Sequence, residues 1–478
     1  MARFGFVGDD YKSYESAASC QQTMNWYPEV VARDGGKSTA YLCRVPGIKV
    51  IVGFGQPGCR GVYTEPKSGR VFTVMSGFLF ELTYIAGVWA YVLFGALNSA
   101  STMAHFSSNG FSLAVVSGRQ LYTVDLMTNT FEGVVPGLDI TQIDFLGGYL
   151  IGVNGGTTFF ISDLYKARTW SGNEASAEDN PDAIVGLKVD HGRIWLGGTE
   201  STEIWASNGG NVDFPFDRIQ GTTMTEGWVS PDCAVSMDNT LFWISQSKNG
   251  SRMAMMANGY TPTRISNYSI EAEWQSYATI SDAVAFPYQE NGHTFWVISF
   301  PNAMKTWVYD RSNAMWHQRG YWNRATGLYE SVRGRYHCFG YGQHIVGDWQ
   351  FGSLYIQSLK YLTDDDFGFI RRVRRSPHVW SDNKRNYFNG FELYVQAGVG
   401  VINDPQGDAI FSLRWSDDGG KTWSSFNDRN AGELGQYSTR VRWLRLGSGR
   451  DRVWEVVTTA AADVVMIDAD IIVTQGFS

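Results

Sequence analysis

The chain has 478 residues, 44% of them hydrophobic, 15% aromatic and 18% charged, with a formal net charge of −8 and a pI near 5.5. That length exceeds one small core and points to roughly two to four domains, or to one large repeat-built domain with an appendage. The acidity argues against a broad basic surface that grips nucleic acid, though not against a protein that surrounds DNA without holding it.

The start, MARFGFVGDDYKSYES, has no basic stretch followed by an apolar core, so no secretory signal is expected. The 53 glycines are spaced among Val, Ile, Thr, Tyr, Phe and Trp, while Ala, Leu, Glu and Lys runs at helical period are missing. This is the composition of short punctuated strands, and the fold class is all-β. The stretch from Gly77 to Leu97 has the length of a bilayer span, with Glu81 as its one charge. Gly77, Gly87 and Gly95 divide it into strand-length pieces rich in β-branched and aromatic residues. Consecutive buried strands are expected there, and a membrane-associated protein is the alternative.

A hairpin then recurs. Leu121 to Glu132 reads LYTVDLMTNTFE, and Thr306 to His317 reads TWVYDRSNAMWH. In both, an alternating strand ends in Asp (Asp125, Asp310), a polar turn containing Asn follows, and an aromatic stands six positions after the Asp (Phe131, Trp316). Asp and Asn accept backbone amides in such turns, and the returning strand brings a large side chain back to the core. Phe159 to Trp170 is a weaker relative. Gly-bounded strands lie between, at 193–198, 202–207, 240–245 and 294–300. Their recurrence across the chain favours the repeated blades of a β-propeller, six or seven of them at ~40–50 residues each.

Composition changes after about residue 360. Asp364, Asp365 and Asp366 are followed by a basic run holding Arg371, Arg372, Arg374 and Arg375. Without calcium-loop spacing the acids read as a solvated turn. The arginines read either as a charge-defended edge strand or as a contact for DNA or an acidic partner. Both clusters are candidate subunit contacts. Alternating strands at 389–395, 409–415, 437–446 and 452–458 indicate a β-sandwich-like domain. The expected organisation is an N-terminal segment (1–45) packing on or closing the propeller, a propeller (46–365) and a C-terminal β-domain (366–478).

Ser416-Asp417-Asp418-Gly419-Gly420-Lys421-Thr422-Trp423 matches the Asp-box S-x-D-x-G-x-T-W. In this hairpin turn Asp418 bonds backbone amides, the glycines take positive φ and Trp423 returns to the core. Asp-boxes occur in sialidases, but the rest of such a site is missing: one box is present, and Phe214-Pro215-Phe216-Asp217-Arg218-Ile219 has the first sialidase motif in the wrong order. No nucleophile elbow, zinc helix, P-loop or dinucleotide fingerprint occurs. Seven scattered histidines and five cysteines without CxxC spacing read as structural residues and reduced thiols. No catalytic residue, cofactor or metal site is expected.

Several segments resemble a known family. Ser19-Cys20-Gln21-Gln22-Thr23-Met24-Asn25-Trp26-Tyr27-Pro28-Glu29, with Tyr41-Leu42 and Val45-Pro46-Gly47-Ile48, resembles the N-terminal signature of phage packaged-DNA stabilisation proteins. These are tail hub or nozzle proteins of short-tailed phages of the Salmonella type. Ile161-Ser162-Asp163-Leu164, Pro181 to Leu187, Ser201 to Trp205, Phe214 to Ile219 and the Asp-box with Arg440-Val441-Arg442-Trp443 continue the match in order. The resemblance implies a propeller subunit of a homohexameric ring below the portal and its adaptor, assembled in the host cytoplasm. It implies double-stranded DNA passing without sequence-specific binding, tail spike, fibre or needle proteins below, and no membrane span. The alternative is a carbohydrate-binding propeller or a sialidase-like hydrolase.

Overall fold

The computed structural model describes residues 2–31, 38–98, 102–177, 179–180, 182–209, 214–246, 250–365, 368–381, 384–400, 409–431 and 439–476, with the side chains of 2–3 and 397–400 left undescribed. Asp366 lies outside the described residues.

Seven four-stranded antiparallel sheets dominate the chain. They span 59–96, 105–134, 142–176, 184–218, 235–264, 284–319 and 334–358, the last completed by the strand Gly47–Pro57. We number them blades one to seven. First strands of neighbouring blades approach one another, as His105–Ser108 does Gln142–Leu146 and Gly334–Gly340 does Cys59–Thr64. This is a β-propeller. Its seventh blade is closed by the earlier strand, with Ile48 opposite Gln357 and Val50 opposite Tyr355. That closure needs Gly47, where a Cβ would stand 2.3 Å from the Thr363 carbonyl oxygen.

The repeated hairpin is the turn between third and fourth strands of blades two and six. Val124 pairs with Phe131 in one and Tyr309 with Trp316 in the other. Asp125 accepts the Met127 and Thr128 amides at 2.8 and 2.9 Å, and Asp310 accepts the Ser312 amide at 2.9 Å. Trp316 is buried with Trp243, Trp274, Trp296 and Trp307 in the core of blades five and six. The one α-helix among the described residues, the nine-residue Tyr268–Ser276, brings Trp274 there, with the Asn267 side chain capping the Ile270 amide.

Residues 77–97 form the strands Phe78–Ile85 and Val88–Ala96 of blade one, paired from Phe78 with Ala96 to Ile85 with Val88. Among the described residues, no helix is long and apolar enough to cross a membrane. Val88–Ala96 is the outer strand, and it leaves Val88, Tyr91, Val92 and Leu93 exposed.

The sandwich is built from both ends of the chain. One sheet runs Trp26–Val30, Ala40–Arg44, Ala462–Gln475, Asn386–Gly400, Thr439–Leu444; the other holds Arg372–Arg375, Asp451–Thr458, Ile410–Ser416 and Asn427–Asn430. Phe6, Trp26, Phe391, Trp443 and Trp454 fill the space between them. The first 45 residues therefore supply two five-residue sandwich strands, and propeller closure falls to Gly47–Pro57. The short strand Gln22–Met24 joins the domains: Met24 pairs in parallel with Gln318 of blade six, and Gln22–Met24 pairs antiparallel with Arg375–Val373. Blade six and one sandwich sheet are thus one continuous ten-stranded sheet.

Candidate functional site

The two charged clusters of the sequence meet at that seam. Arg372–Arg375 is an interior strand, flanked by Gln22–Met24 and Asp451–Thr458, so the expectation of an exposed edge is corrected. Arg372 and Arg374 are fully buried and offer no outward charge. Arg374 spends its donors on the Phe6 and Asp9 carbonyls, the Thr23 hydroxyl and the Gln21 side chain, at 2.6–3.0 Å. Arg371 lies over the Trp322 ring at 4.2 Å, and Arg375 pairs with the buried Glu455 at 2.7 Å. A strand that looks like a DNA contact in sequence is an internal fastening, because each guanidinium has carbonyls, a carboxylate or an aromatic face to meet.

The acids do the same on the propeller side. Asp364 pairs in parallel with Ile48, and the Asp365 carboxylate accepts the Val50 amide at 2.6 Å. Burial pushes Asp364 up to about 7, against the pull of Arg372 and Arg333. Asp364 and Asp365 thereby anchor the closing strand of blade seven.

Residues of the N-terminal signature occupy this junction. Asn25, buried at positive φ, donates to the carbonyls of Gly320 in blade six and Arg371 in the sandwich, both at 2.8 Å. Its side-chain oxygen accepts the Gly320 amide. Thr23 donates its amide to Asp10 at 2.9 Å. Burial first, with the Glu273 charge adding to it, pushes Asp10 up to about 7. In the second motif block, Asp182 caps the turn at Glu200 and Ser201, and Gly197 leaves room for Trp228, which a Cβ would meet at 2.0 Å.

The Asp-box folds as a turn on the sandwich. Asp418 accepts the Lys421 and Thr422 amides and the Ser416 and Thr422 hydroxyls, and these bonds hold its carboxyl well below the usual range. Gly419 and Gly420 have φ of 71° and 89°. Trp423 departs from expectation. Instead of entering the core it is half-buried between the guanidinium groups of Arg414 and Arg375, at 4.7 and 4.8 Å, with its indole donating to the Gly420 carbonyl. The adjacent Asp417 pairs with buried Arg452. Ser16 and Ala17 pack against Gly419, so the box also holds the N-terminal loop.

Sequence reasoning missed the propeller axis. A cavity of about 250 Å³ there is lined by His105, Lys188, Asp232, Arg335 and His337, among others. His105, Lys188, Arg335 and His337 stand on the first strands of blades two, four and seven, and Asp232 precedes that of blade five. His105 faces Asp232 at 3.4 Å. Burial lowers the His105 pKa despite Asp232, and the charges of Lys188 and Arg60 lower it further. No motif could have signalled the cluster, since its members are scattered along the chain from His105 to His337.

Hydrolase chemistry finds little footing. Tyrosine–glutamate contacts of sialidase type are Tyr277 with Glu273, the phenol donating at 3.1 Å and also accepting the Trp307 indole, and Tyr41 with Glu29, and burial pushes both phenols far up. A phenol so disfavoured as phenolate is a poor nucleophile. Among the described residues, no three His, Cys, Asp or Glu side chains gather as a metal site.

Residues 18–360 match the family model of the bacteriophage P22 Gp10 β-propeller, and residues 371–474 that of the bacteriophage P22 Gp10 β-sandwich. No curated protein matches the sequence closely. Similar solved structures include the WD40 β-propeller domain of Doa1, at 12% identity and TM-score 0.42, covering 66% of this chain and 97% of that one. The computationally designed Ika8 protein is similar at 10% identity and TM-score 0.36, covering 65% of this chain and 98% of that one.

Proposed function

Because the chain belongs to the bacteriophage P22 Gp10 family of packaged-DNA stabilisation proteins, across both propeller and sandwich, we propose that it is a tail hub. Copies form a ring, six in number, below the portal and adaptor; the ring retains the packaged genome and later serves as its exit channel. A spike, fibre or needle protein attaches below, and assembly takes place in the host cytoplasm. The role is structural rather than enzymatic.

The observation that carries this reading is the family match over both domains, joined here through one continuous sheet. A ring under the pressure of packaged DNA needs subunits whose domains do not swing, and the seam meets that need. The outer strand of blade one supports self-assembly. The outer strands of blades two to five are three to five residues long and carry Glu132, Glu174, Asp217, Arg218, Pro262 or Arg264. Those of blades six and seven are covered by Gln22–Met24 and Thr363–Asp364. Val88–Ala96 alone, among the described residues, is nine residues long without charge or proline. Natural sheets defend such edges unless a partner covers them. The net charge of −8 supports passage without sticking, since an acidic lumen repels phosphates and releases no counterions.

Negative-stain imaging of the purified chain, alone and mixed with its portal–adaptor complex, tests the proposal. A six-fold ring capping the adaptor is the expected result. Salt-sensitive, tight binding of duplex DNA by the assembled ring, or no association with the adaptor, would count against it.

A further inference from the structure

The axial cavity contains a buried guanidinium two of whose nitrogens have no hydrogen-bond partner among the described residues. Arg335 is 8% exposed, yet its Nε and Nη2 make no hydrogen bond among the described residues. Its neighbours are the Trp349 ring, 4.5 Å from the guanidinium carbon, and the Tyr336 phenol. The nearest acids do not neutralise it. Asp348 spends its carboxylate on the Gln350 and Phe351 amides and the Tyr355 hydroxyl, and Asp282 accepts the Asn302 amide. Neither comes within ion-pair distance of Arg335. Lys188, half-buried on the same cavity, likewise has no ion pair or hydrogen bond among the described residues.

Arg372 shares this feature of Arg335 among the described residues, its Nε and Nη2 also unpaired, but other buried arginines do not. Arg60, close to the cavity, donates to three backbone carbonyls and the Ser117 hydroxyl. A buried guanidinium left with free donors is costly, and that cost falls when an anion takes them. The cavity holds one carboxylate, Asp232, already facing His105. Against it stand Arg335 and Lys188, with His105 held toward its neutral form by burial and able to donate one ring N–H. Among the lining residues two cations against one carboxylate leave a net positive charge, the complement of an anion.

We propose that the propeller axis binds a small oxyanion, a phosphate or a carboxylate, held by Arg335 and Lys188 with His105 as third donor. A volume of about 250 Å³ admits inorganic phosphate, a small phosphomonoester or a dicarboxylate. It lies below the usual range of ~300–1,000 Å³ for larger ligands. Arg335 presents the planar fork that suits both oxyanion geometries, and Lys188 supplies a point charge. The site is independent of the hub assignment, since it needs no second copy and no DNA.

Isothermal titration calorimetry of the full chain at constant ionic strength tests this, with sodium phosphate in one arm and succinate in the other. Saturable single-site binding of either anion is expected, weakened at least ~10-fold by Arg335→Gln and by Lys188→Met. Lys421→Gln, on the sandwich, should leave it unchanged. Phosphate alone would identify a tetrahedral ligand, succinate alone a carboxylate, and both a general oxyanion site. If Arg335→Gln fails to fold, Lys188→Met on its half-exposed position still decides. Absence of saturation for both anions up to on the order of 10 mM overturns the proposal, as does binding undiminished in Lys188→Met.

Discussion

Arg374 and Arg335 are both buried arginines on strands of this fold, and they have opposite environments. Arg374 meets four oxygen acceptors from the N-terminal segment. Arg335 keeps two nitrogens without any. Burial alone therefore does not say what a charge is for. A guanidinium whose donors are all used fastens two parts of the chain, whereas one with donors left over is available to something outside it. Arg374 at the seam belongs to the first kind and Arg335 at the propeller axis to the second, while Arg372 stands between them, its Nη1 donating to the Ala460 carbonyl and its Nε and Nη2 left unpaired among the described residues.

The contrast can be broken by mutation. Arg374→Ala should be the most damaging change, since it leaves buried carbonyls and the Thr23 hydroxyl without their donor. We expect a loss of roughly 3–5 kcal/mol by chemical denaturation. A loss below ~1 kcal/mol would mean that the seam does not depend on it. Asp10, which accepts the Thr23 amide in the same seam, gives the next effect, through pH. Its folded-state pKa of about 7 exceeds the unfolded value of 3.8, so between these values the folded form keeps a proton that the unfolded form has lost. Wild-type stability is therefore drawn down as pH rises from ~4 to ~7, and Asp10→Asn escapes this. The advantage of Asp10→Asn over wild type should grow across that window and approach ~4 kcal/mol. A stability difference independent of pH would show that Asp10 titrates normally. Arg335→Met should have the smallest effect, within ~1 kcal/mol of wild type and on either side of it, because it removes a charge with unused donors. A loss as large as that of Arg374→Ala would abolish the distinction.

Features set by local chemistry could be read from the sequence. The Asp125 and Asp310 turns, the Asp418 turn and the pairing of the Gly-punctuated strands of blade one depend on residues a few positions apart and form as expected, although the second of those strands, Val88–Ala96, is largely exposed where burial was expected. The seventh blade is harder to see because its outer strand, Gly47–Pro57, lies about 300 residues before the strand it pairs with. The seam is hidden for a different reason. Gln22–Met24 is too short to carry a periodic pattern, and the Arg371–Arg375 run has the composition of a surface strand. Only the fold supplies the carbonyls that make its interior position tolerable. Trp423 shows the same limit: an Asp-box fixes the turn, but Arg375 and Arg414, which are not part of it, decide where the indole rests. The axial cluster has no sequence signature, because one polar residue on an inner strand means nothing until several blades bring theirs to one axis.

The central claim is that Gln22–Met24 and the buried arginines make propeller and sandwich one mechanical unit. Differential scanning calorimetry of the full chain tests it most directly. The account predicts a single cooperative transition for the wild type, which Arg374→Ala resolves into two. Two separate transitions in the wild type would contradict it, for then the domains would unfold independently and the shared sheet would bear no load.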